Sequence, residues 1–426
     1  MRILLLTHYY APEYGAPQRR WGAFVRRFVA VGHEVEIIAP TPHYPEGRPT
    51  AAQRRRHRPG TRERGAGGER ILRTAYLRHG SDILTRSLDH AVAGGDALRR
   101  LWSRSPAERP DVLIATAPAI ASLLVGNILA ARWRVPLVVE MRDAWPDLVA
   151  HVALAGPRRR GPLPTIVGYL KRRVHDRVTG WQAGSAAVVT TTERFARVLR
   201  DRGVGEVEVV RNGTDLGRIP LQEPHPVEEQ RPLRCLYLGN MGRSQGLELV
   251  IDAAARLAHE GVPLEVRMIG HGVHAEALRR RADAQQAPVT VLPRIPHAAV
   301  AAHYAWADTV IASLRDWKPF EWTVPSKLYE LLATGRHVTG ILAGEAADVL
   351  EEAGAGDVVP PGDLEALCRL WRELAEDPTR RAGSDSGRVW VARHTEDDLL
   401  AARYLDLLEE IVDDDRPPAA GGPAAR

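Results

Sequence analysis

Short apolar runs alternate with helical patterns along the whole of this chain, and they fall into two sets divided by a stretch that has neither pattern. The first set is Ile3 to Thr7, Glu34 to Ala39, Val112 to Ala115, Leu137 to Glu140 and Ala186 to Thr190. The second is Leu233 to Leu238, Leu264 to Ile269, Val289 to Leu292, Thr309 to Ala312 and Val338 to Ile341. Strands spaced by helices pair in parallel, so each half is expected to be a doubly wound, Rossmann-like α/β sheet. Between the sets, Pro220 to Pro232 is rich in Pro and Glu and reads as a linker. At 426 residues the chain exceeds the size at which one core keeps growing, which also predicts two domains. The expected division is residues 1–219, a linker at 220–232, a second domain at 233–395, a helix at 396–412 returning to the first domain, and a disordered tail at 413–426. Ligands of open α/β sheets bind beyond the carboxyl ends of the strands, so loops of both sheets are expected around a central cleft.

Charge and cysteines narrow the chemistry. The 58 Lys and Arg against 53 Asp and Glu leave a net charge of +5, which suits anionic ligands or membrane surfaces without singling out nucleic acid. No aromatic-interleaved basic stripe or zinc-finger spacing appears, so nucleic acid is not an expected partner. Cys235 lies in an apolar run and Cys368 on a helical face, which gives neither a disulfide framework nor a metal site. The apolar start, Met1 to His8, is too short for a signal peptide, and no run reaches the roughly 20 apolar residues that cross a bilayer. A cytoplasmic protein is expected, with an anionic membrane surface as a candidate partner. That candidate rests on two segments. Residues 46–70 are Arg-rich and punctuated by Gly and Pro, and are expected to form one long mobile loop. Residues 157–178 interleave Ile166, Val167, Tyr169, Leu170 and Val174 with Lys171, Arg172, Arg173 and Arg177, a basic amphipathic pattern that fits either an anionic membrane or an ordinary solvated helix face.

Chemistry-bearing residues gather where strands end. Pro325 and Ser326 can open a helix whose first amides, at Ser326, Lys327 and Leu328, face an anion, with the Lys327 ammonium at the same end. Glu330 lies one turn on, where a carboxylate can accept two hydrogen bonds from a ribose diol, and Gly335 ends the helix. An ordinary capped amphipathic helix would show the same pattern. After the first strand, Thr7-His8-Tyr9-Tyr10 runs into Gly15-Ala16-Pro17 and a helix bearing Arg19, a small-residue turn that lets backbone approach a ligand. Gly239-Asn240-Met241-Gly242-Arg243-Ser244-Gln245-Gly246 repeats that arrangement in the second half, with Arg243 at the mouth of a helix expected to start near Gly246. Gly270-His271-Gly272 opens a loop of dinucleotide-binding type, but the next strand ends in Pro293-Arg294 where a ribose-binding acid is needed, which excludes a nicotinamide reading. Glu140-Met141-Arg142-Asp143 follows a strand, where Asp143 could orient or deprotonate a hydroxyl and Arg142 could pair a phosphate, or the two could form a local ion pair. His8, His43 and His151 are isolated along the chain and show no metal-ligand spacing.

Taken in order, these motifs resemble family 4 of the retaining GT-B glycosyltransferases from Met1 to about Val412. Gly32-His33-Glu34-Val35 and Asn212-Gly213-Thr214-Asp215 fall in family order with the loops above. Tyr9-Tyr10, Pro12-Glu13, Pro42-His43-Tyr44-Pro45-Glu46-Gly47, Arg142-Asp143-Ala144-Trp145-Pro146 and Pro325-Ser326-Lys327 resemble a bacterial subgroup that transfers N-acetylhexosamine-type sugars in surface polysaccharide assembly. The resemblance implies the GT-B fold, a donor of UDP-sugar type, an acceptor hydroxyl on a lipid-linked or cell-surface glycan precursor, and no cofactor or bound metal. It places Gly15, Ala16, Gly239, Asn240, Gly242, Arg243, Gln245, Gly270, His271, Arg294, Ser326, Lys327, Leu328 and Glu330 on the donor, with His8, Tyr9, Arg19, His43, Arg142 and Asp143 on the acceptor side. Asp143, Arg243 and Lys327 are the implied catalytic residues. The chain also departs from the family. Asn240 and Gln245 stand where the second-half loop usually carries Arg and Lys, so Arg243 and Lys327 are expected to carry the diphosphate. Trp322 stands where the first glutamate of an E-x7-E pair belongs, with Glu321 one residue out of register. A sugar-nucleotide epimerase and a non-catalytic sugar-nucleotide-binding protein are the rival readings, as is a transferase acting on a soluble natural product.

Overall fold

The first sheet has β1 (Arg2–Leu6) near its middle, with β2 (Glu34–Pro40), β3 (Arg62–Arg64), β4 (Arg70–Thr74), β5 (Val112–Thr116), β6 (Leu137–Met141), β7 (Ala187–Thr190) and β8 (Val207–Val209) around it in the order β3-β4-β2-β1-β5-β6-β7-β8. Every pairing is parallel except β3 with β4. Its helices are α1 (Ala16–Ala30), α2 (Ala51–Arg56), α3 (Ile83–Leu101), α4 (Ile120–Trp133), α5 (Pro162–Ala183) and α6 (Glu193–Asp201). Central strands such as β5 are buried along their whole length because helices cover both faces, which is why they read as unbroken apolar runs.

The second sheet comprises β9 (Leu233–Asn240), β10 (Leu264–His271), β11 (Val289–Leu292), β12 (Thr309–Ser313), β13 (His337–Ile341) and β14 (Gly356–Val359), all parallel, in the order β11-β10-β9-β12-β13-β14. The helices α7 (Glu248–His259), α8 (Ala275–Ala284), α9 (His297–Trp306), α10 (Ser326–Leu332), α11 (Glu345–Ala353), α12 (Leu364–Glu376) and α13 (Ser386–His394) connect and follow these strands. The computed structural model describes residues 1–80, 82–142, 147, 162–226 and 231–415, and divides the chain into one unit of Met1–Arg211 with the segment from Asp397 onward, and another of Asn212–Glu396. Each unit has its own core. The described part of the 220–232 segment is fastened to the second unit: the Gln222 amide donates to the Thr334 carbonyl at 2.8 Å, and Arg231 makes two 2.6 Å bonds to buried Asp308.

The last helix, α14 (Asp397–Asp414), belongs to the first unit and lies on α1. Tyr404 meets Trp21 edge-on and Phe24 and Phe28 at tilted angles, with ring-centroid distances of 5.6, 5.7 and 6.2 Å, a cluster that fixes the helix by its aromatic face. The Tyr404 hydroxyl is buried without a hydrogen-bond partner. Tyr404→Phe is therefore expected to leave stability unchanged or raise it by up to about 1 kcal/mol. Urea unfolding checks this, and a loss of more than about 1 kcal/mol would mean that the hydroxyl is paired.

The structure corrects several sequence expectations. Residues 46–70 are not one long loop. Thr50 caps α2 through a reciprocal pair with Gln53, and β3 and β4 add two strands to the sheet edge. The Arg residues of this segment are exposed as expected, but Glu63 of β3 pairs with Arg73 of β4, which is almost fully buried and donates to the Ala11 carbonyl at 2.6 Å. Strands β8 and β14 are also additional. Of the basic segment at 157–178, residues 157–161 lie outside the described residues, and α5 carries exposed Arg173 and Arg177. The tail from residue 416 and His151 likewise lie outside the described residues. Among the described residues no helix is long and apolar enough to cross a membrane.

Candidate functional site

Both sheets reverse their winding at one point. In the second unit β9 is followed by β10 on one side and later β12 on the other, so the β9–α7 loop and the β12–α10 connection leave the sheet at its switch point, where open α/β sheets take ligands. The Gly239–Gly246 loop is held rigidly there. The Met241 amide donates to the His271 carbonyl at 2.7 Å, the His274 amide to the Met241 carbonyl at 3.0 Å, and the Ser313 hydroxyl to the Gln245 carbonyl at 2.6 Å. Gly270 and Gly272 have φ of +157° and +154°, and a Cβ on either would collide with the carbonyl of Gly239 or Met241. Two glycines are thus required for β9 and β10 to bring their loops into contact.

Within that loop the side chains divide into structural and exposed. Gln245 accepts the Gly242 amide at 3.0 Å, so it shapes the turn. Asn240 is exposed, and its carbonyl takes the Tyr237 hydroxyl at 2.6 Å. Arg243 lies exposed on a short 3-10 turn at Arg243–Gln245, and the α-helix begins later than expected, at Glu248. Arg315, just beyond β12, braces the turn: it donates to the Arg243 carbonyl at 2.9 Å and grips Glu248 at 2.9 and 3.0 Å. Sequence reading missed Arg315 because its partners are about 70 residues away, with no local spacing to mark them. Exposed His271 ends β10, and exposed Arg294 follows β11.

The α10 helix is a seven-residue turn capped by Pro325, with Ser326 as its first residue. Lys327 Nζ lies 2.7 Å from Glu330 Oε1, and the Tyr304 hydroxyl of α9 donates to the same oxygen at 3.0 Å. Lys327 and Glu330 are thus a bonded pair rather than two independent groups. Burial, followed by the neighbouring Glu330 carboxylate, pushes the Tyr304 hydroxyl well above its ordinary pKa, so it stays a donor. Leu328 is buried and holds the helix to its core. Gly335, with φ of +78°, comes three residues after the helix ends. Glu321 is bonded to Lys318 at 2.7 Å on the 3-10 turn Lys318–Trp322.

In the first unit β1 occupies the switch point, between β2 and β5. Gly15 caps α1, Ala16 and Pro17 begin it, and Arg19 is exposed on its first turn. Glu13 is buried and ties the loops together, accepting the amides of His43 at 2.7 Å and Tyr44 at 2.9 Å. His8 and His43 are not isolated, contrary to the sequence reading: both reach the buried Asp89 of α3, at 2.8 and 3.0 Å. Burial opposes ionisation of Asp89, but its contacts with His43 and His8 hold the carboxyl well below the usual carboxylate range. Burial lowers the pKa of His8 and pushes that of Tyr9 up to about 12. The Tyr9 hydroxyl is 3.4 Å from His90 Nε2. The Arg142 carbonyl accepts the Thr191 hydroxyl at 2.9 Å, and Asp143 lies outside the described residues. Glu140, expected among the strand-end charges, instead points into the core and bonds Arg20 and Trp21.

Residues 15–213 match the family described as Glycosyl transferase 4-like domain, and residues 232–377 match the family described as Glycosyl transferases group 1. The chain belongs to the family 4 GT-B glycosyltransferases. This glycosyltransferase is 26% identical over 395 residues to the putative colanic acid biosynthesis glycosyl transferase WcaI of Escherichia coli, spanning 86% of this chain and 90% of that protein. It is 25% identical over 436 residues to glycogen synthase of Mycobacterium tuberculosis, spanning 95% of each. Among solved structures, sucrose-phosphate synthase from Thermosynechococcus elongatus superposes with a TM-score of 0.70 at 16% identity, over 97% of this chain and 99% of that one. Anabaena HepE in complex with UDP-glucose does so with a TM-score of 0.64 at 14% identity, over 96% and 100%. The fold is therefore GT-B, and the activity is nucleotide-sugar-dependent glycosyl transfer.

Proposed function

We propose that the protein transfers an N-acetylhexosamine-type sugar from UDP to a hydroxyl of a lipid-linked or cell-surface glycan precursor, with retention of configuration and without a metal at the diphosphate. The observation that carries the donor site is the pairing of Lys327 with Glu330 beyond the switch point at which the Gly239–Gly246 loop also emerges. An ammonium for the diphosphate and a carboxylate for the ribose diol are then supplied by one turn of chain. Exposed Arg243 supplies a second cation on the neighbouring loop. The bond from the sugar C1 to the diphosphate oxygen breaks as the acceptor oxygen bonds C1 on the same face. The acceptor proton passes to the departing phosphate. The protein's work is to hold the reactants and stabilise the developing negative charge with Arg243, Lys327 and backbone amides. His8, Tyr9, Arg19, His43, Arg142 and Asp143 are assigned to the acceptor side. The assignment to surface glycans draws support from the Escherichia coli relative, named for colanic acid biosynthesis, and that to UDP from HepE, solved with UDP-glucose. Exposed Arg173 and Arg177 on α5 suit attachment to an anionic membrane surface.

Incubation with UDP-N-acetylhexosamines in the presence and absence of a polyprenyl-diphosphate-linked acceptor tests the reading. UDP release that depends on acceptor supports it. Interconversion of the sugars would indicate an epimerase, and binding without turnover a non-catalytic protein; either outcome overturns it.

A further inference from the structure

Three histidines converge on one buried carboxylate oxygen in the first unit. Asp89 Oδ2 lies 2.8 Å from His8 Nε2, 3.0 Å from His43 Nε2 and 3.9 Å from His79 Nε2. The other ring nitrogens decide what these contacts are. His43 Nδ1 is 2.6 Å from the Thr41 carbonyl, and His79 Nδ1 is 2.8 Å from the Gly80 carbonyl. A carbonyl only accepts, so in both rings Nδ1 carries the proton. His43 Nε2 is also hydrogen-bonded to Asp89 Oδ2 at 3.0 Å, which a second proton on that ring provides; in the neutral ring the same nitrogen is a metal donor. His8 Nε2, on a side chain 3% exposed, has no hydrogen-bond partner despite its short distance to the carboxylate. Asp89 itself is fully buried, and among the described residues no lysine or arginine pairs with it. Its second oxygen, Oδ1, takes the Leu77 amide at 2.7 Å and so fixes the carboxylate with Oδ2 aimed at the histidines.

A buried carboxylate needs a compensating charge. A proton on His43, hydrogen-bonded to Asp89 at 3.0 Å, supplies that charge but leaves His8 Nε2 without a partner. A cation among the ligand atoms of His8, His43 and Asp89 satisfies all three. We propose that His8, His43 and Asp89 bind one divalent first-row transition metal ion, Zn2+ being the best match to two imidazoles and one carboxylate. The carbonyl partner of His43 and the amide on Asp89 are the outer hydrogen bonds that orient metal ligands. The ligand atoms of His8, His43 and Asp89 already lie within 4.8 Å of one another, and tetrahedral Zn2+ sets its ligands roughly 3.3 Å apart, so side-chain shifts of about 1 Å suffice. Three protein donors leave one tetrahedral position of the ion for water or for His79, whose Nε2 is 3.9 Å from Asp89 Oδ2. The site clamps the end of β1 and the loop after β2 to α3. It belongs to the first unit and the donor loops to the second, and its test does not depend on the proposed reaction.

The full-length protein, stripped with chelator, is titrated with Zn2+ by calorimetry and with Co2+ by absorption. One equivalent of Zn2+ is expected to bind and raise the melting temperature, and Co2+ is expected to give the intense visible bands of a tetrahedral site. His43→Gln and Asp89→Asn are each expected to weaken Zn2+ binding at least about a hundredfold, since losing even an outer partner of a ligand costs about 10–100-fold. Circular dichroism confirms that each variant is folded. If a variant is not folded, the Co2+ spectrum of the unaltered protein decides. No binding, weak octahedral-type bands, or affinity unchanged in the folded variants would overturn the proposal; the last outcome would place the ion on surface histidines.

Discussion

Glu330→Ala is expected to lower kcat/KM for the UDP-sugar about ten- to a hundredfold, because a hydrogen bond to a charged group contributes about 1.5–3 kcal/mol. The side chain is 23% exposed, so the fold should tolerate its loss. Lys327→Ala should cost at least as much. It removes the cation offered to the diphosphate and takes the ammonium away from Glu330, leaving a negative charge on the same turn facing the diphosphate. That argument makes a sharper prediction for the pair. The double variant should lose less than the product of the two single losses, since removing Glu330 from Lys327→Ala also removes the repulsion. Steady-state kinetics with varied donor at saturating acceptor measures all three. Unchanged kcat/KM in both single variants, or strictly multiplicative losses, would show that the two residues do not act together on the diphosphate and ribose.

The strands were legible wherever burial on both faces had produced an uninterrupted apolar run, as in β1, β5 and β12. They were illegible where charge is paired internally. β3 reads Arg-Glu-Arg, and β4 contains Arg70 and Arg73, yet Arg73 is buried against Glu63 and Glu69 takes the Tyr10 hydroxyl at 2.7 Å. Sequence reading assigns such residues to solvent because it cannot see that a partner lies across the sheet edge.

The site shows the same division. Glycine loops and the helix start at Ser326 are local patterns tied to strand ends, so their placement at the switch point followed from the order of elements. What they bond to did not follow. Lys327 was read as a free cation for an anion, but its nearest acid was the residue read as the ribose ligand. The histidine cluster had no local signature, because its members are drawn from four separate segments between residues 8 and 89. Only the return of α3 across the sheet brings Asp89 to them.

The same internal pairing governs the largest stability change expected. Arg20 of α1 donates from Nε to Glu140 Oε1 at 2.8 Å and from its other nitrogens to the carbonyls of Val210 and Arg211. Trp21 Nε1 bonds the second Glu140 oxygen at 2.9 Å. Glu140 is fully buried and Arg20 nearly so, and together they join α1, β6 and the chain beyond β8. Arg20→Ala would leave the carboxylate buried with the indole as its only remaining partner among the described residues, and is expected to cost about 3–5 kcal/mol in urea unfolding. Glu140→Gln keeps an acceptor for Arg20 but removes the countercharge, and should fall between Arg20→Ala and the unaltered protein. Replacing both by apolar residues of similar volume, as in Arg20→Met with Glu140→Leu, should recover much of the loss, because a buried ion pair gains little over well-packed hydrocarbon. If Arg20→Ala unfolds at the same urea concentration as the unaltered protein, the network does not hold the first unit together. If the double replacement is no more stable than Arg20→Ala, the carbonyl bonds of Arg20 rather than its charge are what matter.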